Sequence, residues 1–333
     1  MFRAKTTFLL LCMLAFCLIG CSRKQSPSED KRLTIAVIPK GTIHEFWRTV
    51  HAGAEKAGRE LNVDILWKGA LKEDDREAQI SVVENMIIRA VDGIVLAPLD
   101  DIALRGPVDQ AMHKGIPVVI FDSGLQSENY VSYVATNNFK GGQLAGRHMA
   151  ELLNGKGKVV VLRYLEGSDS TTKREDGFLD AIKKYEDIEV VSSGQYAGVT
   201  TESALQAAEN LFARYRTADG GLQIDGIFCA TEPTAVGILR ALQDMGYAGK
   251  VQFIGFDSSR NMIAALEAGE MSAFVVQNPM QIGYLGVKTA VEHIGGKAVP
   301  KRIDTGCTLV TRENLNQPEI QELLHPDLKK WLR

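Results

Sequence analysis

The stretch Leu33-Thr-Ile-Ala-Val-Ile-Pro39-Lys-Gly-Thr-Ile-His44-Glu-Phe-Trp47 decides the fold class of this chain. Residues 33–38 form an apolar run rich in β-branched side chains, which is typical of a strand buried on both faces of a parallel sheet. Pro39 and Gly41 end this strand, and a helix is predicted from about residue 45 to residue 60. The stretch therefore indicates a strand–loop–helix unit of an α/β protein.

Four side chains with binding chemistry follow this strand: Lys40, His44, Phe46 and Trp47. In an open α/β sheet, ligands bind outside the carboxyl ends of the strands. A cation, an imidazole and two aromatic rings at that edge favour a pocket for a small polar molecule with an apolar face. A second interpretation stays open, in which the aromatic rings belong to the core and His44 is a solvated loop residue.

Strand and helix patterns alternate from Leu33 to about Val310. This alternation predicts parallel sheets built from right-handed crossovers. About five strands precede Asn137 and four to five follow it. Two similar doubly wound lobes fit this number better than one sheet of ten or more strands. A short helix is expected near 318–324, in an otherwise polar C-terminal tail.

The N-terminus has the pattern of an export signal. Arg3 and Lys5 precede an apolar segment, 8–19, and Leu-Ile-Gly-Cys21 follows. The segment is too short for a spanning helix, so residues 1–20 are predicted to be a signal peptide. Leu-Ile-Gly-Cys resembles a bacterial lipobox, which implies cleavage before Cys21 and acylation of that cysteine. Residues 21–32 would then tether the protein to a membrane from outside the cytoplasm.

Composition and cysteine content argue against a nucleic-acid-binding protein and against a metal site. The chain has 333 residues, 45% apolar and 24% charged, and a net charge of -3. With a pI near 6.1, a nucleic-acid-binding surface is not expected. Cys229 and Cys307 each lie beside a predicted strand, and their spacing does not decide whether they form a disulfide. No Cys/His spacing predicts a metal site, and no cofactor is expected.

Four polar residues lie near the ends of predicted strands: Asp122, Arg174, Asp257 and Gln277. Carboxylates accept hydrogen bonds from vicinal hydroxyls, and a guanidinium donates several N–H groups in a fixed fork. These donors and acceptors together suit a sugar as the ligand. Strand-end carboxylates also cap helices, so each residue has a purely structural interpretation as well.

Taken together, these residues resemble a family. The motifs fall in the order and spacing of the periplasmic sugar-binding proteins of the ribose-binding type: Ile35-Ala-Val-Ile-Pro, Glu45-Phe-Trp, Val118-Val-Ile-Phe-Asp122, Asn137-Asn-Phe-Lys-Gly-Gly142, Arg174-Glu-Asp-Gly-Phe178, Ala235-Val-Gly-Ile-Leu-Arg240, Ile254-Gly-Phe-Asp257 and Gln277-Asn-Pro-Met-Gln-Ile-Gly283. The resemblance implies the type I fold of that family, with two lobes joined by three crossing strands and the ligand between them.

The resemblance also implies domain boundaries. The crossings are expected near Thr136–Asn137, Asn278–Pro279 and Thr305–Gly306. The N-terminal lobe would contain residues 33–136 plus 279–305. The C-terminal lobe would contain residues 137–278 plus 306–315, and residues 316–333 would form the tail.

By the same resemblance, Phe46 and Trp47 match the aromatic pair that sandwiches a sugar ring. Asp122 matches the hydroxyl-binding carboxylate of the first lobe. The polar set of the second lobe and hinge is matched by Arg174, Asp257 and Gln277, and a hinge-side hydroxyl by Thr136. All are expected to contact the ligand, a monosaccharide or a derivative of one.

Several positions depart from the ribose-binding pattern. Lys40 and His44 stand where Ser and Asn are usual, Ala97 replaces an Asn, Ser123 replaces an Arg, and Thr231-Glu232 replaces an Asn-Asp pair. These changes argue against ribose itself. Lys40 has two interpretations: it binds a carboxylate, phosphate or ketone oxygen of the ligand, or it pairs with Glu45 or Asp122.

Two functional hypotheses remain. Regulators of the lactose-repressor type share these lobes, but a signal peptide and a tether occupy the place of their DNA-binding helices. No nucleophile-elbow, Walker or dinucleotide-binding motif supports an enzyme. The chain is therefore expected to be a monomeric, lipid-anchored receptor that delivers a sugar to an ABC permease. The alternative is a receptor that signals to a membrane histidine kinase or chemoreceptor.

Overall fold

A computed structural model describes residues 32–332. The predicted signal peptide and the lipidation site Cys21 lie outside these residues. Within the described residues the strands form two six-stranded sheets, each flanked by helices. The predicted α/β class with two doubly wound sheets is confirmed.

The first sheet is parallel throughout, because each hydrogen-bonded pair of its strands runs in the same direction. Its strands are β1 (Thr34–Ile38), β2 (Asp64–Trp67), β3 (Gly93–Leu96), β4 (Val118–Phe121), β5 (Ser132–Ala135) and β11 (Arg302–Asp304). Their order across the sheet is β11-β5-β4-β3-β1-β2. The chain order reverses between β1 and β3, which is where ligands bind in such sheets.

Four helices cover the first sheet, two on each face. They are α1 (Glu45–Leu61), α2 (Arg76–Ile88), α3 (Arg105–His113) and α9 (Pro279–Ile294). One apolar cluster joins α1 and α9 to the sheet, and a second joins α2 and α3. We call this sheet with its four helices the first lobe.

The second sheet has the same parallel arrangement except at one edge. Its strands are β6 (Lys156–Arg163), β7 (Asp187–Tyr196), β8 (Gly226–Cys229), β9 (Gln252–Phe256), β10 (Ala273–Gln277) and β12 (Cys307–Thr311). The order is β12-β10-β9-β8-β6-β7, and β12 is antiparallel to β10.

Five helices flank the second sheet: α4 (Asn138–Leu152), α5 (Asp169–Ile182), α6 (Thr201–Tyr215), α7 (Glu232–Asp244) and α8 (Arg260–Ala268). Apolar clusters again lie on both faces, one with α4 and α5 and one with α6, α7 and α8. We call this sheet with its five helices the second lobe. Cys229 and Cys307 in its strands are both free thiols.

The chain passes between the two sheets three times. The passages lie at 136–137, 278 and 305–306, between elements of different lobes. The side chains of Asn137 and Asn278 accept hydrogen bonds from the first turns of α4 and α9 at 3.1 and 3.0 Å. Each cap therefore begins a helix directly after the chain has entered a new lobe. The exact lobe boundaries stay a prediction.

Glycines allow the closest helix pairs to form. A Cβ at Gly142 of α4 would overlap the carbonyl oxygen of Arg174 in α5, and one at Gly53 of α1 would overlap that of Met280 in α9. Gly142 is therefore required by the close packing of α4 on α5.

The C-terminal segment contacts both lobes. The predicted helix is present as α10 (Pro318–Leu324), and Ile320 is buried in the core of the second lobe. A short 3-10 helix at Leu328–Lys330 then leads to α1, where the Arg59 guanidinium donates to the carbonyl oxygens of Lys330 and Trp331 at 2.9 and 2.7 Å. In the part of the chain that the structure describes, no helix has the length and apolarity needed to cross a membrane.

Candidate functional site

The cavity between the lobes lies at the carboxyl ends of strands from both sheets. First-lobe residues on its wall are Lys40, His44, Phe46, Trp47, Glu73 and Asp122. Residues from the second-lobe side are Tyr164, Ser170, Thr171, Arg174, Thr231, Glu232, Pro233, Asp257 and Gln277. The structure therefore brings together eight of the nine predicted ligand-binding residues. The ninth, Thr136, lies elsewhere.

Thr136 belongs to the first passage between the lobes. Its buried hydroxyl lies 3.3 Å from the hydroxyl of Thr305 and 3.1 Å from the carbonyl oxygen of Gly306, which it can donate to. These contacts join the first and third passages. In this structure Thr136 connects hinge segments and does not line the cavity.

The two aromatic residues of α1 take different positions. Their rings meet edge to face, with centroids 4.9 Å apart. Trp47 is buried and packs edge-on against Phe121 of β4, whereas Phe46 is half-buried. Trp47 therefore lies in the core and on the cavity wall at once, and its contact with a ligand stays a prediction.

Glu73 is a cavity residue that the sequence did not single out. The indole N–H of Trp47 donates to its Oε1 at 2.7 Å, and the hydroxyl of Tyr164, from the second lobe, donates to its Oε2 at 3.1 Å. Burial and the nearby Glu73 carboxylate raise the pKa of Tyr164 well above its usual value, which keeps this hydroxyl a donor. Glu73 lies in the charged run 72–77, where one buried acid cannot be told from its exposed neighbours.

Lys40 spans the two lobes. Its ammonium donates to the hydroxyls of Ser168 and Ser170 at 3.0 Å each, and it lies 4.0 Å from a carboxylate oxygen of Asp122. Burial lowers the pKa of Lys40, and the carboxylates of Asp122 and Glu73 partly oppose this shift. Of the partners expected for Lys40, Asp122 is the one near it, and the two serines are additional.

Asp122 and Asp257 occupy equivalent positions in the two lobes. Each follows a strand, and both have left-handed backbones, with φ of +61° and +65°. Burial raises the pKa of Asp122 to about 6 although Lys40 and Arg174 act against this shift. Burial also raises the pKa of Asp257, opposed by Arg174 and Gln277. A left-handed aspartate costs less than most side chains there, because Asp and Asn tolerate this region.

Arg174 is held on several sides. Its Nε donates to the side-chain oxygen of Asn138 at 2.8 Å, and one terminal nitrogen donates to the carbonyl oxygen of Ala230 at 2.9 Å. The same nitrogen lies 3.4 Å from Asp257. The guanidinium also lies over the ring of Phe256, 4.0 Å from its centroid. This arrangement fixes the guanidinium before any ligand enters.

His44 lies between carboxylates of both lobes. Its ring nitrogens are 3.9 Å from Glu73 and 3.9 Å from Glu232, which are ion-pair distances and too long for hydrogen bonds. Burial raises the pKa of Glu232 to about 7, and repulsion from Asp257, Glu45 and Glu73 adds to the shift. Glu232 was recognised in the sequence as a departure but was not predicted as a binding residue.

Two acceptor atoms on the cavity residues have no partner. Gln277 donates through Nε2 to Asp257 at 2.7 Å, but its buried Oε1 receives no hydrogen bond. Oε2 of Glu232 is buried and likewise unpartnered. Buried acceptors without donors are costly, so a bound ligand that supplies N–H or O–H groups would be stabilised here. Within residues 32–332, no three His, Cys, Asp or Glu side chains are placed to hold a metal ion.

Comparison with known proteins agrees with this architecture. The model of the periplasmic binding protein domain family matches residues 35–298. The D-allose-binding periplasmic protein of Escherichia coli is 30% identical over 274 residues, 80% of this chain and 86% of that protein. The ribose import binding protein of Haemophilus influenzae is 29% identical over 286 residues, 86% and 94% of the two chains.

Solved structures give the same result. A carbohydrate transporter solute-binding protein from Agrobacterium radiobacter, in complex with D-arabinose, is 33% identical, with a TM-score of 0.84 over 89% of this chain and all of that one. An ABC transporter solute-binding protein from Agrobacterium vitis with bound D-fucose is 36% identical, with a TM-score of 0.82 over 88% of this chain and all of that one. The predicted type I fold is confirmed, and these relatives are binding proteins rather than enzymes.

Proposed function

This chain belongs to the periplasmic binding protein domain family, and we propose that it captures a sugar or sugar-like molecule in the cavity between its lobes. One observation supports this most: polar side chains at the strand ends of both sheets meet at one cavity that also has aromatic walls. The relatives named for ribose, allose, arabinose and fucose support the same ligand class.

The cavity groups suit a hydroxyl-rich ligand. Asp122, Asp257 and the two unpartnered acceptors of Glu232 and Gln277 would accept hydrogen bonds from ligand hydroxyls. Phe46 and Trp47 would contact the apolar face of a sugar ring. Arg174, already fixed by its protein partners, would donate without having to be ordered first, which favours affinity.

The two lobes are in direct contact. Besides the Lys40 and Tyr164 contacts, the amide of Gly124 donates to Asp169 at 3.0 Å, and the amide of Asp101 donates to the carbonyl oxygen of Gly167 at 3.0 Å. We take this as the closed form of a hinged receptor, since periplasmic binding proteins close around their ligands by hinge motion. A ligand would favour closure because it contacts both lobes at once.

The physiological role follows from the family. The protein would act outside the cytoplasm and pass its ligand to an ABC permease, as the names of its import and transporter relatives suggest. The lipid anchor at Cys21 remains part of this proposal. Mass spectrometry of the mature protein would test it, because a chain that begins at Cys21 without acyl mass contradicts the anchor.

The sugar-binding proposal is tested with thermal unfolding and calorimetric titration. A panel of pentoses, hexoses, amino sugars and sugar acids is added to the purified protein. At least one should raise the melting temperature, because a ligand that binds the folded state stabilises it. An Asp257→Asn variant should lose that shift. If no compound of the panel shifts the wild-type melting temperature, the proposal fails.

A further inference from the structure

The ionisable groups on the cavity wall are unbalanced. Four carboxylates line it: Glu73, Asp122, Glu232 and Asp257. They face two cationic side chains, Lys40 and Arg174. With every carboxylate ionised, the wall has two more carboxylates than Lys and Arg side chains, and the raised pKa values of Asp122 and Glu232 show that burial makes this ionisation costly. Buried charge without a partner is costly, so this excess favours a ligand that brings positive charge.

The two cations are engaged within the protein. Lys40 donates to two serine hydroxyls and faces Asp122, and Arg174 is bound by Asn138, Ala230 and Asp257. An anionic ligand such as a sugar acid could use only the N–H groups that these contacts leave. It would also bring a further negative charge next to four carboxylates.

The unpartnered groups are acceptors instead. Glu73 is satisfied by Trp47 and Tyr164, but Oε2 of Glu232 and Oε1 of Gln277 are buried and receive no hydrogen bond. Gln277 is 3% exposed, and both residues lie on the cavity wall. A donor-rich, cationic group is the chemistry that would satisfy both the acceptors and the excess of charge.

The surroundings of Glu232 also favour a cationic ligand group. Its nearest cationic candidate is His44, whose ring nitrogen is 3.9 Å away, and repulsion from Asp257, Glu45 and Glu73 adds to the burial that raises its pKa. Glu232 lies in the first turn of α7. A positively charged ligand group beside this carboxylate would relieve that repulsion.

We infer that the cavity selects a sugar with a protonated amino group, bound by the carboxylate of Glu232, with Oε1 of Gln277 as a further acceptor. This inference rests on the proposed sugar-binding function. It names the ligand class for the same cavity and makes Glu232 the residue that sets specificity.

The test is a matched titration at pH 7. D-glucose is compared with its derivatives in which an amino group replaces the hydroxyl at C2, C3 or C6. D-galactose and D-mannose are compared with their 2-amino derivatives, D-galacturonate serves as the anionic probe, and N-acetyl-D-glucosamine has the bulk without the charge. At least one amino sugar should bind about tenfold or more tightly than its parent, because hydrogen bonds to charged groups exceed neutral ones by about that factor.

The variant Glu232→Gln keeps the size of the side chain and removes its charge. In this variant, the dissociation constant of the parent sugar divided by that of its amino derivative should fall to near one. The control is Glu45→Gln, an exposed carboxylate that adds to the same repulsion but does not line the cavity, and it should keep most of the ratio. Because the ratio is measured within one protein sample, a general loss of affinity does not mimic the effect.

Each outcome is decisive. If neutral sugars bind and no amino sugar binds more tightly than its parent, the inference fails and the sugar-binding proposal stands. If galacturonate binds best, the inference also fails. If amino sugars are preferred but Glu232→Gln keeps the preference, the role of Glu232 is wrong. If no sugar of any kind binds, the proposed function fails with it.

Discussion

The ammonium of Lys40 lies 3.0 Å from the hydroxyl of Ser168, and the two residues belong to different lobes. A second hydroxyl, that of Ser170, lies at the same distance. Both contacts exist only while the lobes are together. Lys40 is therefore a closure contact as well as a cavity residue, and this double role could not be predicted from its place after β1.

Replacing Lys40 with Met should weaken closure. The variant loses two hydrogen bonds between the lobes and leaves the buried Asp122 without its neighbouring cation. We expect affinity for the ligand to fall about tenfold or more, since charge-assisted hydrogen bonds are worth about 1.5–3 kcal/mol each. Calorimetry measures the affinity, and X-ray scattering of the ligand-free variant should show a larger radius of gyration. Lys68→Met, at an exposed position of the first lobe, is the control. Equal affinity in both variants would contradict the closure role.

Asp122 offers a test that separates charge from backbone conformation. Asn tolerates the left-handed conformation of this residue and Ala does not, at a cost of about 1–2 kcal/mol. Asp122→Asn should therefore reduce ligand affinity at least about tenfold with little change in the free energy of unfolding. Asp122→Ala should lose affinity and stability together. Urea unfolding and titration measure the two quantities. Unchanged affinity in Asp122→Asn would remove this carboxylate from the site.

Gly142 and Gly106 form a matched pair for helix packing. Both are in helices, but a Cβ at Gly142 would overlap the carbonyl oxygen of Arg174, whereas a Cβ at Gly106 meets nothing within 4 Å. Gly142→Ala should destabilise the protein by about 1–3 kcal/mol or more, because α4 and α5 must separate. Gly106→Ala should stabilise it by about 0.5–1 kcal/mol through helix propensity. Chemical denaturation gives both values, and a neutral Gly142→Ala would show that the helices can shift freely.

Glu175 should make stability depend on pH. It accepts hydrogen bonds from the amide of Tyr164 and from Arg163, yet burial raises its pKa from 4.5 to about 7. Between these values the folded state holds a proton that the unfolded state has released. The contribution of Glu175 to the free energy of unfolding is therefore full below about pH 4.5 and is lost as the pH rises to about 7. It amounts to about 1–3 kcal/mol.

The measurement is urea unfolding at pH 5 and pH 8. Wild type should lose more stability over this range than Glu175→Gln, which cannot titrate. Glu84→Gln, at an exposed position of α2, should behave as wild type. Other groups also titrate here, including Asp122 and Glu232, so the comparison between variants isolates Glu175. Identical slopes in wild type and Glu175→Gln would contradict the prediction.

The strand-end residues were the most predictable part of the site. Asp122 and Asp257 directly follow apolar strands, and parallel sheets bring such ends to one edge, so their convergence follows from the pattern alone. Tyr164 directly follows β6, so the same rule could have found it, whereas Glu73 and Ser168 could not be predicted in this way. They lie in connecting segments without periodicity, and their positions depend on how the two lobes meet.

The same distinction applies to the fold. The α/β alternation was predictable because its strands are short, apolar and buried. One α-helix and one strand were not predicted: α9, where Gly283 and Gly286 interrupt the helical pattern, and β11, a three-residue edge strand with mostly exposed side chains. Thr136 was expected to contact the ligand, but its hydroxyl is engaged with the third passage between the lobes, through a contact with Thr305, 169 positions along the chain.

The close fit of Gly53 in α1 against the backbone of Met280 in α9 has a consequence for biosynthesis. A nascent chain that ends before α9 leaves one face of the first sheet covered by α1 alone, and β11 is still missing from its edge. The first lobe, most of which is translated first, therefore cannot complete its folding first. It must wait for residues near 304, by which time the whole of the other sheet except β12 has already been made.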